Sequence, residues 1–392
     1  MNFLRYYIYY IFLHLTLVGS SLIQVGDAIS VSVDSSATYK YLSNILKTET
    51  NELSDDTYTL TPGAIVNFGK PGTALDLELK SYYDILKYQD YSDLDINLFR
   101  IYLNGSYRPS DLTSSSFSYS NEDGQIARSE SSTGGSPALI ETSRESASFF
   151  ANYRYSPKLS FSLGANFLEL TYLTEADKLS AKRSITIPFN LSYHYSNKLS
   201  VQYGVSFTDT EVGARTAYSQ PAYDTNSVYY NVGLNGTILP KLTGQFNVGY
   251  RTLSFSTATD DINALGVTSN LTWTLTPKLR TTVNFSKDFD VAGSGNTHQF
   301  TRLNLSTVYS ISTDYKLSLN FGHTAKNFRA NPLIFGGNSY REERLRDLSV
   351  NLHYIPSENY SFTAGYHIYK SKADLLDNYD LNVFRLTAKL KY

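Results

Sequence analysis

Six histidines, His14, His194, His298, His323, His353 and His367, are the side chains of this 392-residue sequence best suited to proton transfer or metal ligation near neutral pH. For hydrolysis, one of them would have to activate a serine and be oriented in turn by a third group. No local motif supplies such a unit. There is no His-Glu-x-x-His, no Gly-x-Ser-x-Gly elbow and no Walker-type glycine loop. Cysteine is absent altogether, which excludes a thiol nucleophile, a zinc-thiolate site and a disulfide scaffold. The sequence therefore implies no cofactor, no metal and no enzyme. A barrel enzyme acting on lipid or glycan stays open as the less favoured alternative.

Ion recognition is the second chemistry on offer. Arg100, Arg154, Arg251, Arg280, Arg302, Arg385 and Lys389 all fall on the polar phase of alternating segments, with Asp76, Glu78 and Asp288 as the main acids of that phase. Guanidinium groups gathered inside a narrow pore focus the field and favour anionic solutes. The competing reading is that these bases pair with acids of the wall and the loops and only stiffen the structure. Either role needs elements that turn all these side chains the same way.

Those elements are hairpins. YSPKLSFSLG (155–164), YSNKLSVQYG (195–204), LPKLTGQFNVGY (239–250), LTPKLRTTVNFS (275–286), STDYKLSLNFG (312–322) and IPSENYSFTAGY (355–366) repeat one plan, with GKPG (69–72) and RPSD (108–111) as two further turns. Each has an alternating strand, a short turn and a returning strand. The turns recur roughly every 40 residues, the length of two spanning strands, a tight turn and a longer loop. Within the strands the period is two. In 185–195, Ile185, Ile187, Phe189, Leu191, Tyr193 and Tyr195 oppose Thr186, Asn190, Ser192 and His194. In 73–80, Leu75, Leu77 and Leu79 oppose Asp76, Glu78 and Lys80.

A soluble sandwich alternates too, so the decision rests on three other features. The polar phase is Ser, Thr, Asn and Gly over many strands, which suits a hydrated lumen. The strands run to about 10–14 residues, twice the usual soluble length. Short turns lie on one side and long polar connections on the other. The fold class expected is all-β, a transmembrane antiparallel up-and-down β-barrel of about 18 strands (16–18), wide enough for an aqueous channel. The 34 tyrosines fit interfacial aromatic positions, and the balance of 34 bases against 36 acids excludes a nucleic-acid partner.

Residues 1–28 read as a signal peptide for Sec-type export, with Arg5 ahead of an apolar run to Val18. Cleavage after Ser20 and after Ala28 both fit, and Ala28 is preferred because alternation starts directly after it. Residues 29–392 then form a single outer-membrane barrel. Its last strand, NVFRLTAKLKY, puts Phe384, Leu386, Ala388, Leu390 and Tyr392 on one face and looks like the signal that barrel-assembly machinery reads. Outer-membrane lipid and lipopolysaccharide are the expected surroundings. The acidic stretches Glu49, Glu52, Asp55, Asp56 and Asp90, Asp93, Asp95 read as solvated loops or as bridges through divalent cations. The longest connection, 122–143, reads as flexible, either folded into the lumen or held outside.

The segment 344–392 resembles the β-barrel porin family associated with exopolysaccharide export loci. The likeness lies in Arg344-x-x-Asp347 at a strand start, Tyr354 before a short turn, the Tyr-rich return strand, and Ser371 followed by Asn378-Tyr379-Asp380. It covers the C-terminal part well and the rest as a repeated hairpin. The resemblance implies an outer-membrane pore, a role with secreted polysaccharide and, as partners, polysaccharide export components. It brings no catalytic residue with it. A barrel with a blocked lumen, acting as a structural or adhesive surface protein, is the alternative function.

Overall fold

The computed structural model describes residues 22–26, 28–69, 74–131, 136–256, 261–328, 341–374 and 378–392. Most of the signal segment and part of the 69–72 turn lie outside them. The expected barrel is there and closes with 18 strands. They are β1 (Ile29–Leu42), β2 (Asp55–Thr61 continued by Gly63–Phe68), β3 (Leu75–Tyr88), β4 (Ile96–Tyr107), β5 (Thr113–Ala127), β6 (Leu139–Ser156), β7 (Leu159–Tyr172), β8 (Lys182–His194) and β9 (Leu199–Val212). The second half has β10 (Tyr223–Leu239), β11 (Leu242–Phe255), β12 (Ile262–Thr276), β13 (Leu279–Val291), β14 (Thr297–Ser310), β15 (Tyr315–Phe328), β16 (Arg341–Tyr354), β17 (Tyr360–Ala373) and β18 (Tyr379–Lys391).

Each strand pairs antiparallel with its sequence neighbours, and β1 pairs with β18 from Asp34↔Lys391 to Leu42↔Val383, so no edge is left along the wall. Val33 and Tyr392 exchange both backbone hydrogen bonds at the seam, at 2.5 and 2.8 Å. β2 is one strand in two pieces because Pro62 has no N–H to donate, yet both pieces keep the same register on β1. Below the seam, the lower part of β1 has no β18 beside it. A three-residue strand, Ile23–Val25, folds back at Gly26 and pairs there, Ile23↔Val31 and Val25↔Ile29. A cut after Ala28 would remove this strand, and a cut after Ser20 would keep it.

The turn signals fix the two ends. Three of the repeats share a Pro-Lys turn, and each of those strands slips register just before it, at Arg154/Ser156, Thr237/Leu239 and Thr274/Thr276. Like sequence gives like bulge. The short turns define the periplasmic end and the longer connections the extracellular end. One expectation is corrected here. Much of 122–143 is strand: β5 and β6 stay paired up to Ala127↔Leu139, leaving only 128–138 as the connection. Asn121 to Gln125 alternate in phase with the rest of β5, and Ile126 and Ile140 face each other across the pair, which gives a polar hairpin a reason to persist.

The wall is apolar outside and polar inside. Ile187, Tyr203 and Leu348 are 48%, 49% and 45% exposed, whereas Thr57, Thr61, Ser227 and Ser349 on the opposite phase are buried. That inversion has no sense in water, and it is what a lipid-facing sheet around a polar interior requires. A small apolar cluster of Ile140, Tyr172 and Leu179 sits at the extracellular end.

Candidate functional site

The inner wall is a ladder of hydroxyls and amides bonded across strands. Ser118–Ser148 (2.7 Å), Ser120–Ser146 (2.9 Å), Thr186–Thr208 (2.9 Å), Thr272–Thr282 (3.2 Å) and Thr38–Thr387 (3.1 Å) are its hydroxyl rungs. Asn190 donates to Ser162, and Asn320 links Ser306 to Ser349. These rungs form because directly opposite residues share a face. They leave a surface able to exchange hydrogen bonds at many points with a passing polar solute.

The seven basic residues all lie on this inner phase, but they divide into two groups. Arg100 reaches Asp84 at 2.8 Å, Arg251 binds Asp288 at 2.6 Å and Ser227 at 2.9 Å, and Lys389 binds Asp34 at 2.9 Å. Arg385 donates to Asn351 at 3.0 Å. Arg154, Arg280 and Arg302 have no ion pair with a described residue. Arg302 lies 5.3 Å from the Phe300 ring centre, and Arg154 lines a cavity of about 600 Å³ near the periplasmic turns with Arg108, Asp111 and His194. The basic surplus is therefore smaller than the sequence reading held. The acids that reduce it, Asp34, Asp84, Glu122 and Asp290, were missed although alternation marks them: Asp34 is in phase with Ser30, Ser32, Ser36 and Thr38. Two further cavities lie on the inner wall, one of about 430 Å³ lined by Lys80, Tyr82, Arg100, Tyr102 and Lys389 and one of about 750 Å³ that reaches from β1 to Ser148 on β6.

Above the wall, the extracellular loops interlock across the mouth. The centre is the β13–β14 loop, Ala292-Gly293-Ser294-Gly295-Asn296. Ser294 is 4% exposed. Its carbonyl accepts from Arg215 at 2.9 Å and its hydroxyl from Arg341 at 3.4 Å. The Gly293 carbonyl accepts from the Ser180 amide at 2.8 Å, and the Gly295 carbonyl from the Tyr223 hydroxyl at 2.7 Å. A Cβ on Gly293 would lie 3.0 Å from Ser131 and 2.6 Å from the Tyr172 hydroxyl, so only glycine fits. Ser131 belongs to the β5–β6 connection, eight strands away round the 18-strand wall. Contact between these two loops spans the opening. The β5–β6 connection is itself pinned: buried Arg128 pairs with Glu175, which also binds Lys178 at 3.2 Å, and Glu130 pairs with Lys47 at 2.5 Å. Arg215 lies 4.3 Å over Tyr218, and burial holds its guanidinium below the ordinary value. Just below, Lys182 and Asp290 pair at 2.5 Å from strands five apart, tying the mouth across a chord.

The acidic loops have a structural part. Asp55 is buried and accepts the amides of Asp56, Asp90 and Tyr91 at 2.7–3.2 Å, joining the β1–β2 and β3–β4 loops. Asp95 accepts from the Tyr88 amide and Lys87; burial raises its carboxyl, and these bonds bring it below the ordinary range. Two histidines meet serines, Ser160–His194 at 2.9 Å and Ser318–His353 at 3.0 Å, but the other nitrogen of His353 bonds Thr363 rather than a carboxylate. His367 lies 3.4 Å from Asp347, His298 is buried against Phe328, and His323 faces outward. Among the described residues, no three His, Asp or Glu side chains cluster as metal ligands.

A closed, polar-lined barrel with lipid-facing aromatics belongs to the outer-membrane porin class. The family described as "Putative beta-barrel porin 2" matches residues 31–392, and the chain belongs to that family. Among solved structures it is similar to the outer-membrane protein opdK from Pseudomonas aeruginosa, with 11% identity over 93% of this chain and 99% of that one and a TM-score of 0.49. OccAB4 from Acinetobacter baumannii gives 9% identity, 92% and 98% coverage and a TM-score of 0.47. For the FrpB iron transporter from Neisseria meningitidis the identity is 10% and the TM-score 0.48, and this chain spans 62% of that protein's length. No curated protein matches the chain.

Proposed function

We propose that the protein is an outer-membrane channel for hydroxyl-rich or anionic solutes, closed at its outer end at rest by the loops that meet on Gly293–Gly295. The observation that carries this reading is the continuous Ser, Thr and Asn ladder inside the wall, interrupted by bases such as Arg154, Arg280 and Arg302 that no described acid neutralises. A lumen lined this way offers many weak, replaceable hydrogen bonds, which let a sugar chain enter without trapping it. Passage of secreted polysaccharide rests further on the family resemblance of residues 344–392. A second reading, a sealed barrel that acts through its outer loops, is favoured by the same contacts across the mouth.

Single-channel recording of refolded protein in a planar bilayer separates the two. A gated channel shows rare openings of large conductance, with anion preference in a salt gradient. Folded protein that never conducts, even after the loop contacts are loosened, is a sealed barrel.

A further inference from the structure

The outer wall carries a charge pattern that neither the lumen nor the mouth explains. On β15, β16 and β17 the residues His323, Arg346 and Lys370 stand directly opposite one another in one row, all on the lipid-facing phase. The next row toward the mouth sets Arg344 opposite Lys372. Like charges facing each other across strands cost stability. Two acids offset part of it: the Glu342 carboxylate accepts from Nε and Nη2 of Arg344, and Asp380 pairs with Lys370 at 3.0 Å. No ion pair joins Arg346 or Lys372 to a described residue, and both side chains are exposed.

The surroundings say what would neutralise them. One row toward the periplasm, the same three strands present Phe321, Leu348 and Ile368, and the row after that Leu319, Val350 and Tyr366. Phe321, Leu348 and Val350 are about two-fifths exposed. Successive same-face rows lie about 7 Å apart along a strand. A basic row and an apolar row this close suit one molecule with phosphate at the edge of its acyl chains. The rest of the rim differs. On β6–β10 its outward positions hold Glu141, Glu145, Glu169, Asp209, Glu211 and Asp224, with Arg183 set between Glu169 and Glu211. That side of the barrel offers phosphate no comparable row of bases.

We propose that His323, Arg346, Lys370 and Lys372 form a binding site for a phosphorylated glycolipid of the outer leaflet. Arg346 supplies a planar fork for the phosphate, the lysines act as point charges beside it, and the Phe321–Leu348–Ile368 row receives the acyl chains. The inference rests on the barrel lying in an outer membrane and is independent of whether its lumen conducts.

The test is native mass spectrometry of the full-length folded protein titrated with diphosphoryl lipid A, dephosphorylated lipid A, phosphatidylglycerol or inorganic phosphate. Diphosphoryl lipid A should bind wild type and bind R346S/K372S about 30-fold more weakly, each base near a charged lipid surface contributing about a factor of five. R346K, which keeps the charge but not the fork, should fall between wild type and R346S/K372S, and E169S/E211S on the acidic side should retain all of the binding. Equal affinity of wild type and R346S/K372S for lipid A overturns the site. So does inorganic phosphate that displaces lipid A at equal concentration, which would mark a free-anion site. If no lipid of any kind adheres to the outer wall, the outer-membrane reading itself fails, a different result from loss of phosphate selectivity alone.

Discussion

Glu175→Gln should open the mouth. Glu175 bridges Arg128, on the connection that crosses the opening, and Lys178, on its own loop. The Arg128 side chain is only 7% exposed, so the exchange leaves a hidden cation facing a neutral amide of the same shape. Its Nε already lacks a hydrogen-bond partner, and Glu175 is its one ion-pair partner among the described residues. A charge-assisted hydrogen bond of this kind contributes about 1.5–3 kcal/mol, and each 1.4 kcal/mol is a factor of ten in an equilibrium. If the contact exists in the closed state alone, the open-to-closed ratio should rise about ten- to hundredfold. Single-channel traces read this as open probability at unchanged unit conductance, because the wall below is untouched. Heat-modifiable migration on SDS gels would confirm that the variant folds. An open probability equal to wild type in correctly folded protein refutes the reasoning, since the pair would then not hold the loops.

The lumen bases give a contrasting pair. Arg302 has no ion partner among the described residues, so Arg302→Glu changes the wall charge by two without stranding an acid. For an ion about 10 Å away in water at 0.1 M salt, this is about 0.3 kcal/mol after screening, hence about a threefold fall in the anion-to-cation permeability ratio, read from reversal potentials. Arg251→Glu instead places a carboxylate against Asp288 and should cost about 3–5 kcal/mol, seen as a lower urea midpoint. If neither reversal moves selectivity, the bases serve only to stiffen the wall. The N-terminus offers a third check: intact mass of exported protein should correspond to a chain starting after Ser20, since Ile23–Val25 pairs with the lower part of β1, which β18 does not reach. A mass starting at Ile29 would show that strand to be dispensable. Finally, the Asp95 carboxyl is held below its ordinary value, so its contribution is present above the ordinary carboxylate range and is lost as pH falls through the lowered value. The protection of the Tyr88 amide against hydrogen exchange, taken relative to the intrinsic rate at the same pH, should fall on such acidification and stay level in Asp95→Asn.

What could be read from the sequence was whatever depends on neighbours along the chain or directly across a hairpin. Alternation of Ile185, Ile187 and Phe189 with Thr186 and Asn190 gives the inner and outer faces, and eight short turns give the 18 strands, because each hairpin is a local object. The same rule was enough to find Asp34 and Asp84, which sit in phase with the bases they neutralise; missing them overstated the surplus. The mouth is another matter. Ala292-Gly293-Ser294-Gly295-Asn296 looks like any tight connection, and nothing in it announces that Arg215, Arg341, Ser180 and Tyr223 converge on its three central residues. Those partners come from loops and strand ends two to six strands away, so their meeting depends on the curvature of the closed wall. The sequence left open whether 122–143 folds into the lumen or stays outside; its unpaired part, 128–138, supplies one side of the mouth contact, and the five-residue loop opposite supplies the centre. Closure converts local pattern into distant contact. The consequence is that substitutions at the wall should be predictable from parity alone, whereas those at Gly293, Arg128 and Glu175 should couple non-additively, because each contact exists only while the others hold the loops together.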